Sequence, residues 1–179
     1  MYCGNNKTAL SSQRQIADAL LALLEEMPYG EISISTICRR AAVSRQTFYS
    51  LFQSKDNVIT FTLRNGCCYS ACQPQDCRES SFREICGGFG RYIIQHADVL
   101  DVLARHDLMP LLRSVLREDF SQCLSQSGSY APSLRPYVID FLAAGITSIA
   151  ETYIRTGKQA DPEALESIIY LLMRGKYCE

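Results

Sequence analysis

Ser33-Ile34-Ser35-Thr36-Ile37-Cys38-Arg39-Arg40-Ala41-Ala42-Val43-Ser44-Arg45-Gln46-Thr47-Phe48-Tyr49-Ser50-Leu51-Phe52 is the stretch on which the fold turns. Ser33 and Ser44 each precede a short helix-compatible run, and each hydroxyl can accept from the free amides of the turn that follows. The first run extends to about Arg40, and Ala41-Ala42-Val43 makes a tight turn. The second covers Arg45 to Ser50. Ile34, Ile37 and Cys38 share one face, Ala41 and Val43 are small enough for close approach, and Phe48 and Phe52 can both point into a core. Two short helices joined by a few small residues are what a helix-turn-helix requires. The outer face of the second helix then carries Arg45, Gln46, Thr47 and Tyr49.

Outward from this stretch the helical period persists. Ile16, Leu20, Leu23, Leu24 and Met27 form one apolar stripe on a helix starting near Ser11 or Ser12, and Pro28-Tyr29-Gly30 stops it. Ser54 caps a fourth helix that opens with Lys55-Asp56 and continues to Leu63. Beyond Gly66 the composition shifts toward Cys, Gly and aromatics, with a break at Gln73-Pro74-Gln75-Asp76. Further helices are expected over about 80–95, 97–105, 107–126, 133–156 and 162–174. Ser127-Gly128-Ser129 and Gly157-Lys158 are the clearest connectors. The expected fold is all-α with about nine helices: a three-helix head over residues 1–54 and a larger helical-bundle body over 55–179.

With 179 residues, 47% hydrophobic and 21% charged, the chain can bury a core and is not wholly disordered. A net charge of −1 excludes a uniformly basic coat. Residues 1–66 hold seven Lys/Arg against five Asp/Glu, a mild basic excess. No stretch reads as the roughly 18–20 apolar residues of a membrane span. The opening Met1–Lys7 lacks a basic patch followed by an apolar core, so no secretory signal is expected and a cytoplasmic location follows by default. Nine cysteines, an odd count without an export signal, do not read as a disulfide framework. Their spacing is not that of a structural zinc site either.

The ordered set Tyr29-Gly30, Ser33, Ile37, Ala41-x-Val43-Ser44, Thr47-x-Tyr49, Phe52 and Ser54-Lys55 resembles the TetR family of transcriptional regulators over about residues 12–63. Ala42 stands where that family usually has Gly, and Leu51 where an aromatic or His is common. The resemblance implies a head that binds double-stranded operator DNA. Arg45 and Gln46 would face base edges, while Ser33, Ser44, Thr47, Tyr49 and Lys55 would grip phosphates. Arg45-Gln46-Thr47-Phe48-Tyr49 also looks like a short-chain subgroup that includes a coactivator of dihydroxyacetone kinase genes. A repressor is expected, with an activator or a protein-binding coregulator as the alternative.

For the body, the resemblance implies a homodimer through the last two long helices and a pocket for an unidentified small molecule. Val138, Phe141, Leu142, Gly145, Ile149 and Tyr153 form one stripe. Leu165, Ile168, Ile169, Leu172 and Met173 form a second. Phe61, Tyr69, Phe89, Tyr92, Phe120, Tyr137 and Phe141 are the candidate pocket residues. Gly87-Gly88-Phe89-Gly90 lies in a helical pattern after no strand, so it is not a nucleotide loop; it leaves room for a ligand or a close helix crossing. Cys67, Cys68, Cys72 and Cys86 are candidates for a redox or soft-metal sensor, set against the reading of small buried hydrophobes. No cofactor and no membrane partner are expected. No nucleophile–base pair or HExxH-type motif is visible, so an enzyme is not expected; Asp98, Asp101, His106 and Asp107 read as helix-junction caps.

Overall fold

The computed structural model describes residues 7–64, 82–127 and 130–174. Among these residues there are nine α-helices, one 3-10 turn and no strand. In order they are α1 (Lys7–Leu24), the 3-10 turn Tyr29–Glu31, α2 (Ile34–Arg40), α3 (Arg45–Leu51), α4 (Lys55–Arg64), α5 (Phe82–Gln95), α6 (Ala97–Arg105), α7 (Met109–Ser127), α8 (Arg135–Arg155) and α9 (Pro162–Met173). The all-α expectation stands. α1 begins several residues before the expected Ser11 or Ser12, both of which lie inside the helix.

The chain divides into two compact units, Met1–Arg64 and Asn65–Glu179. This places the division after α4 and not between residues 54 and 55. The reason is burial: Val58, Ile59, Phe61 and Leu63 are all core residues, and α4 packs on α1. The fourth helix is therefore part of the head.

In the head, α1 supplies Ile16, Leu20, Leu23 and Leu24, and α2 adds Ile37 and Cys38. Ser33 accepts from the amide of Thr36 at 3.1 Å, and Ser44 accepts from that of Thr47 at 2.9 Å. In each cap the serine and threonine hydroxyls are also 2.9 Å apart. α2 ends in a Schellman closure: the amide of Val43 donates to Cys38 at 3.0 Å and that of Ala42 to Arg39 at 3.3 Å. The closure requires φ of +53° at Ala42, a region where a Cβ crowds the following carbonyl. Ala42→Gly is therefore expected to stabilise the head. Relief of about 1–2 kcal/mol of strain outweighs the extra chain entropy of about 0.4–1 kcal/mol. Urea unfolding followed by circular dichroism should show a gain of about 0.5–1 kcal/mol; no gain would mean that Ala42 sits there unstrained.

In the body, α5 lies along α9, and α8 along α7. Gly87 and Gly90 permit the first pairing. A Cβ on Gly90 would stand 3.2 Å from the backbone nitrogen of Glu166. The glycine-rich run of α5 therefore serves a close helix crossing. α8 meets α7 and α6 through Ala143, Ile146, Thr147, Ala150 and Tyr153. By length and composition this helix is long and apolar enough to cross a membrane, which corrects the expectation that no such stretch exists. It is so apolar because both its core-facing side and its outward side are, and on the latter Tyr137 is 75% exposed and Phe141 59%.

Candidate nucleic-acid interface

α3 is held by its inner face. Phe48 and Leu51 are buried, and Phe52 follows them into the core. The Phe48 ring lies 6.0 Å from that of Phe52, which in turn lies 5.5 Å from Phe61. With those positions fixed, the helical period sends Arg45, Gln46 and Tyr49 outward. All three are exposed, and Tyr49 keeps half of its surface accessible while its ring meets the edge of Phe48 at 5.6 Å. A guanidinium, a carboxamide and a phenol thus share one solvent face of a helix narrow enough for a major groove.

The other predicted contacts divide. Ser33 and Ser44 are exposed, but both hydroxyls act as helix caps, and half-buried Thr47 is bonded to Ser44. Lys55 is different. Its ammonium donates inward, to the carbonyl oxygens of Tyr29 at 2.5 Å and Ile32 at 3.0 Å, and it lies 4.0 Å from the centre of the Tyr29 ring. Beside it, the Tyr29 hydroxyl donates to the carboxylate of Asp56. Burial, and then this carboxylate, push the Tyr29 phenol above its ordinary range.

Two arginines that the sequence reading passed over also belong to this region. Arg39 and Arg40 end α2 and are both exposed. Arg40 bonds Glu26 at 2.5 Å and, chiefly through that hydrogen bond, holds its carboxyl below the usual range. The signal available in the sequence was two adjacent cations in the last turn of the first motif helix. Cys38 is buried beside them, and desolvation raises its thiol.

The predicted pocket residues do not form one group. Phe61 lies in the head core against Phe52, and Tyr69 falls outside the described residues. Tyr137 and Phe141 point outward from α8. Phe89, Tyr92 and Phe120 are buried in the body. There Phe89 and Phe120 are 5.6 Å apart, and Tyr92 stacks on His96 at 4.4 Å.

Of the cysteine candidates, Cys67, Cys68 and Cys72 lie outside the described residues. Cys86 is buried on α5, where desolvation first and the Glu166 charge second push its thiol up to about 11. A protonated, enclosed thiol is a poor nucleophile and a poor soft-metal ligand. Among the described residues, no three His, Cys, Asp or Glu side chains gather as a metal site would need. Asp98 instead pairs with Lys158 at 2.8 Å.

Residues 16–60 match the family described as bacterial regulatory proteins, tetR family. Over this stretch the head is similar to the TetR family. Over 61 residues it is 34% identical to the HTH-type dhaKLM operon transcriptional activator DhaS of Lactococcus lactis. That match covers 34% of this chain and about a third (33%) of the length of that relative. Solved structures extend the likeness in fold to the rest of the chain. Lin0861 from Listeria innocua superposes with a TM-score of 0.81 at 18% identity, covering 98% of this chain and 96% of that one. A TetR transcriptional regulator from Streptococcus agalactiae gives 0.58 at 19%, covering 93% and 95%.

Proposed function

We propose that this TetR-type chain is a DNA-binding transcriptional regulator and not an enzyme. In this reading it acts in the cytoplasm as a homodimer on a palindromic operator. The observation that carries the reading is the solvent face of α3, with Arg45, Gln46 and Tyr49 displayed over buried Phe48 and Leu51. Arg45 and Gln46 read base edges, and Tyr49 grips a phosphate. One seven-residue helix reads too few base pairs to select an operator alone. A second copy supplies the other half-site about 34–36 Å away.

The outward faces of α8 and α9 support the dimer. Leu134 at the N-cap of α8, Tyr137 and Phe141 of α8, and Ile168 and Leu171 of α9 are large apolar side chains left exposed. A Cβ added at Gly145 would meet nothing within 4 Å in the single chain, so a partner helix can come close there. Lipid is the poorer cover for this face, because α8 also carries Asp140, paired with Arg117 at 2.7 Å, and exposed Glu151. Charges of that kind are costly at bilayer depth.

A small, mostly apolar effector held near Phe89, Tyr92 and Phe120 would shift the population of head spacings that fit two grooves. Repression is the first reading of the sign. Activation is the second, and the name of the Lactococcus relative favours it.

Selection of bound fragments from genomic DNA, with and without a metabolite extract, tests the reading. One palindromic sequence should be enriched, and the extract should change its recovery. On that sequence Arg45→Ala should cost about 1–3 kcal/mol per half-site, or roughly five- to 150-fold for each, and relax the preference at one base pair in each half-site. Failure to enrich any sequence above bulk DNA would sink the proposal.

A further inference from the structure

The ammonium of Lys55 has three N–H donors and no acceptor. Two carbonyl oxygens, those of Tyr29 and Ile32, take up bonds at 2.5 and 3.0 Å, and the Tyr29 ring covers it at 4.0 Å. Its surroundings are thus already electron-rich and part-buried, with two of its three donors in use. The next residue completes a loop of contacts, since Asp56 accepts from the hydroxyl of Tyr29. Tyr29 is held by its carbonyl and ring through Lys55, and by its hydroxyl through Asp56. Three residues further on Ile32 is buried, and Ser33 follows at once as the cap of α2. Contacts on Tyr29 and Ile32 therefore fix where α2 starts with respect to the first turn of α4.

We infer that Lys55 is a positioning residue and not a phosphate ligand: with Asp56 it staples residues 29–32 to α4, so that the helix-turn-helix keeps one angle to that helix. The inference rests on the DNA-binding reading. It predicts that breaking the staple lowers affinity for every duplex, because all contacts of α3 shift together. A lost phosphate contact has a different signature. It reduces the slope of log K against log salt by about 0.9 for each phosphate, or about 1.8 for the two Lys55 copies of a dimer.

The test uses the full chain and the duplex enriched by selection, with binding followed by fluorescence anisotropy across a salt series. Lys55→Met is expected to weaken binding about tenfold or more while leaving the salt slope unchanged. Asp56→Ala separates the alternatives more sharply. It removes a negative charge from the head, so electrostatics alone would strengthen binding to DNA; loss of the staple instead weakens it, by about threefold or more. A slope that falls by about two in Lys55→Met, or an unchanged or higher affinity in Asp56→Ala, overturns the inference. If Lys55→Met loses its helical circular dichroism, Asp56→Ala decides alone. Wild-type chain that prefers no duplex over bulk DNA overturns the regulator reading, and this role with it.

Discussion

Phe48→Ala is expected to destabilise the head by about 3–5 kcal/mol and to abolish operator binding near 37 °C. Phe48 is fully buried and its ring meets those of Tyr49 and Phe52. It sits at the middle of a helix of seven residues. A helix so short has no stability of its own, because nucleation costs more than a few added bonds return. Its order is borrowed from the Phe48–Phe52–Phe61 cluster. A head of some sixty residues has only a few kcal/mol in reserve, so the loss removes most of it. Urea unfolding should show the head transition moving far to lower denaturant, and mobility shifts should show binding lost in parallel. Phe48→Leu keeps most of the volume and should cost less than about 1.5 kcal/mol. A shift below about 1 kcal/mol for the alanine variant would contradict the packing described for α3.

Gly90→Val should strike the body as Phe48→Ala strikes the head. A Cβ at Gly90 meets the Glu166 backbone nitrogen at 3.2 Å and the Leu165 Cβ at 3.5 Å. A backbone atom cannot turn away, so the γ-methyls of valine must part α5 from α9. Overpacking of this kind costs about 1–3 kcal/mol, and the better helix propensity of valine returns only about 0.4 kcal/mol. We expect a net loss of about 2 kcal/mol in the body transition. Gly87→Ala meets a different neighbour, the Glu166 carboxylate at 2.8 Å. That group can swing, giving up its 2.9 Å bond with Arg83, so the loss there should be smaller. Differential scanning calorimetry of the two variants checks the order. Equal melting points would show that the crossing is looser than the geometry indicates.

The head was legible because its signals are local. Ser33 and Ser44 announce α2 and α3, and Ser54 accepts from the amide of Asn57 at 3.2 Å at the start of α4. The apolar stripe of α1 is equally plain. Its first turns were missed because Ser11 and Ser12 look like caps, although neither is one. The extents of α6, α8 and α9 could be read from Gly, Pro and Asp punctuation. The candidate site was less legible. An exposed position can be inferred for Arg45 or Tyr49 once Phe48 is assigned to the core. Nothing local says that the ammonium of Lys55 turns back to carbonyls of residues 29 and 32, since that contact joins segments far apart in the chain. As aromatics on a long helix Tyr137 and Phe141 suggest a pocket, but α8 is apolar on two sides, and periodicity does not tell which side a monomer buries.

The brevity of α2 and α3 has a practical corollary. Excised as a peptide, residues 33–52 would be a coil with no shape to offer a groove. The reading element is not a portable cassette: transplanting its specificity means moving the entire Lys7–Arg64 block, or rewriting Arg45, Gln46 and Tyr49 on a host whose interior already supplies the scaffolding.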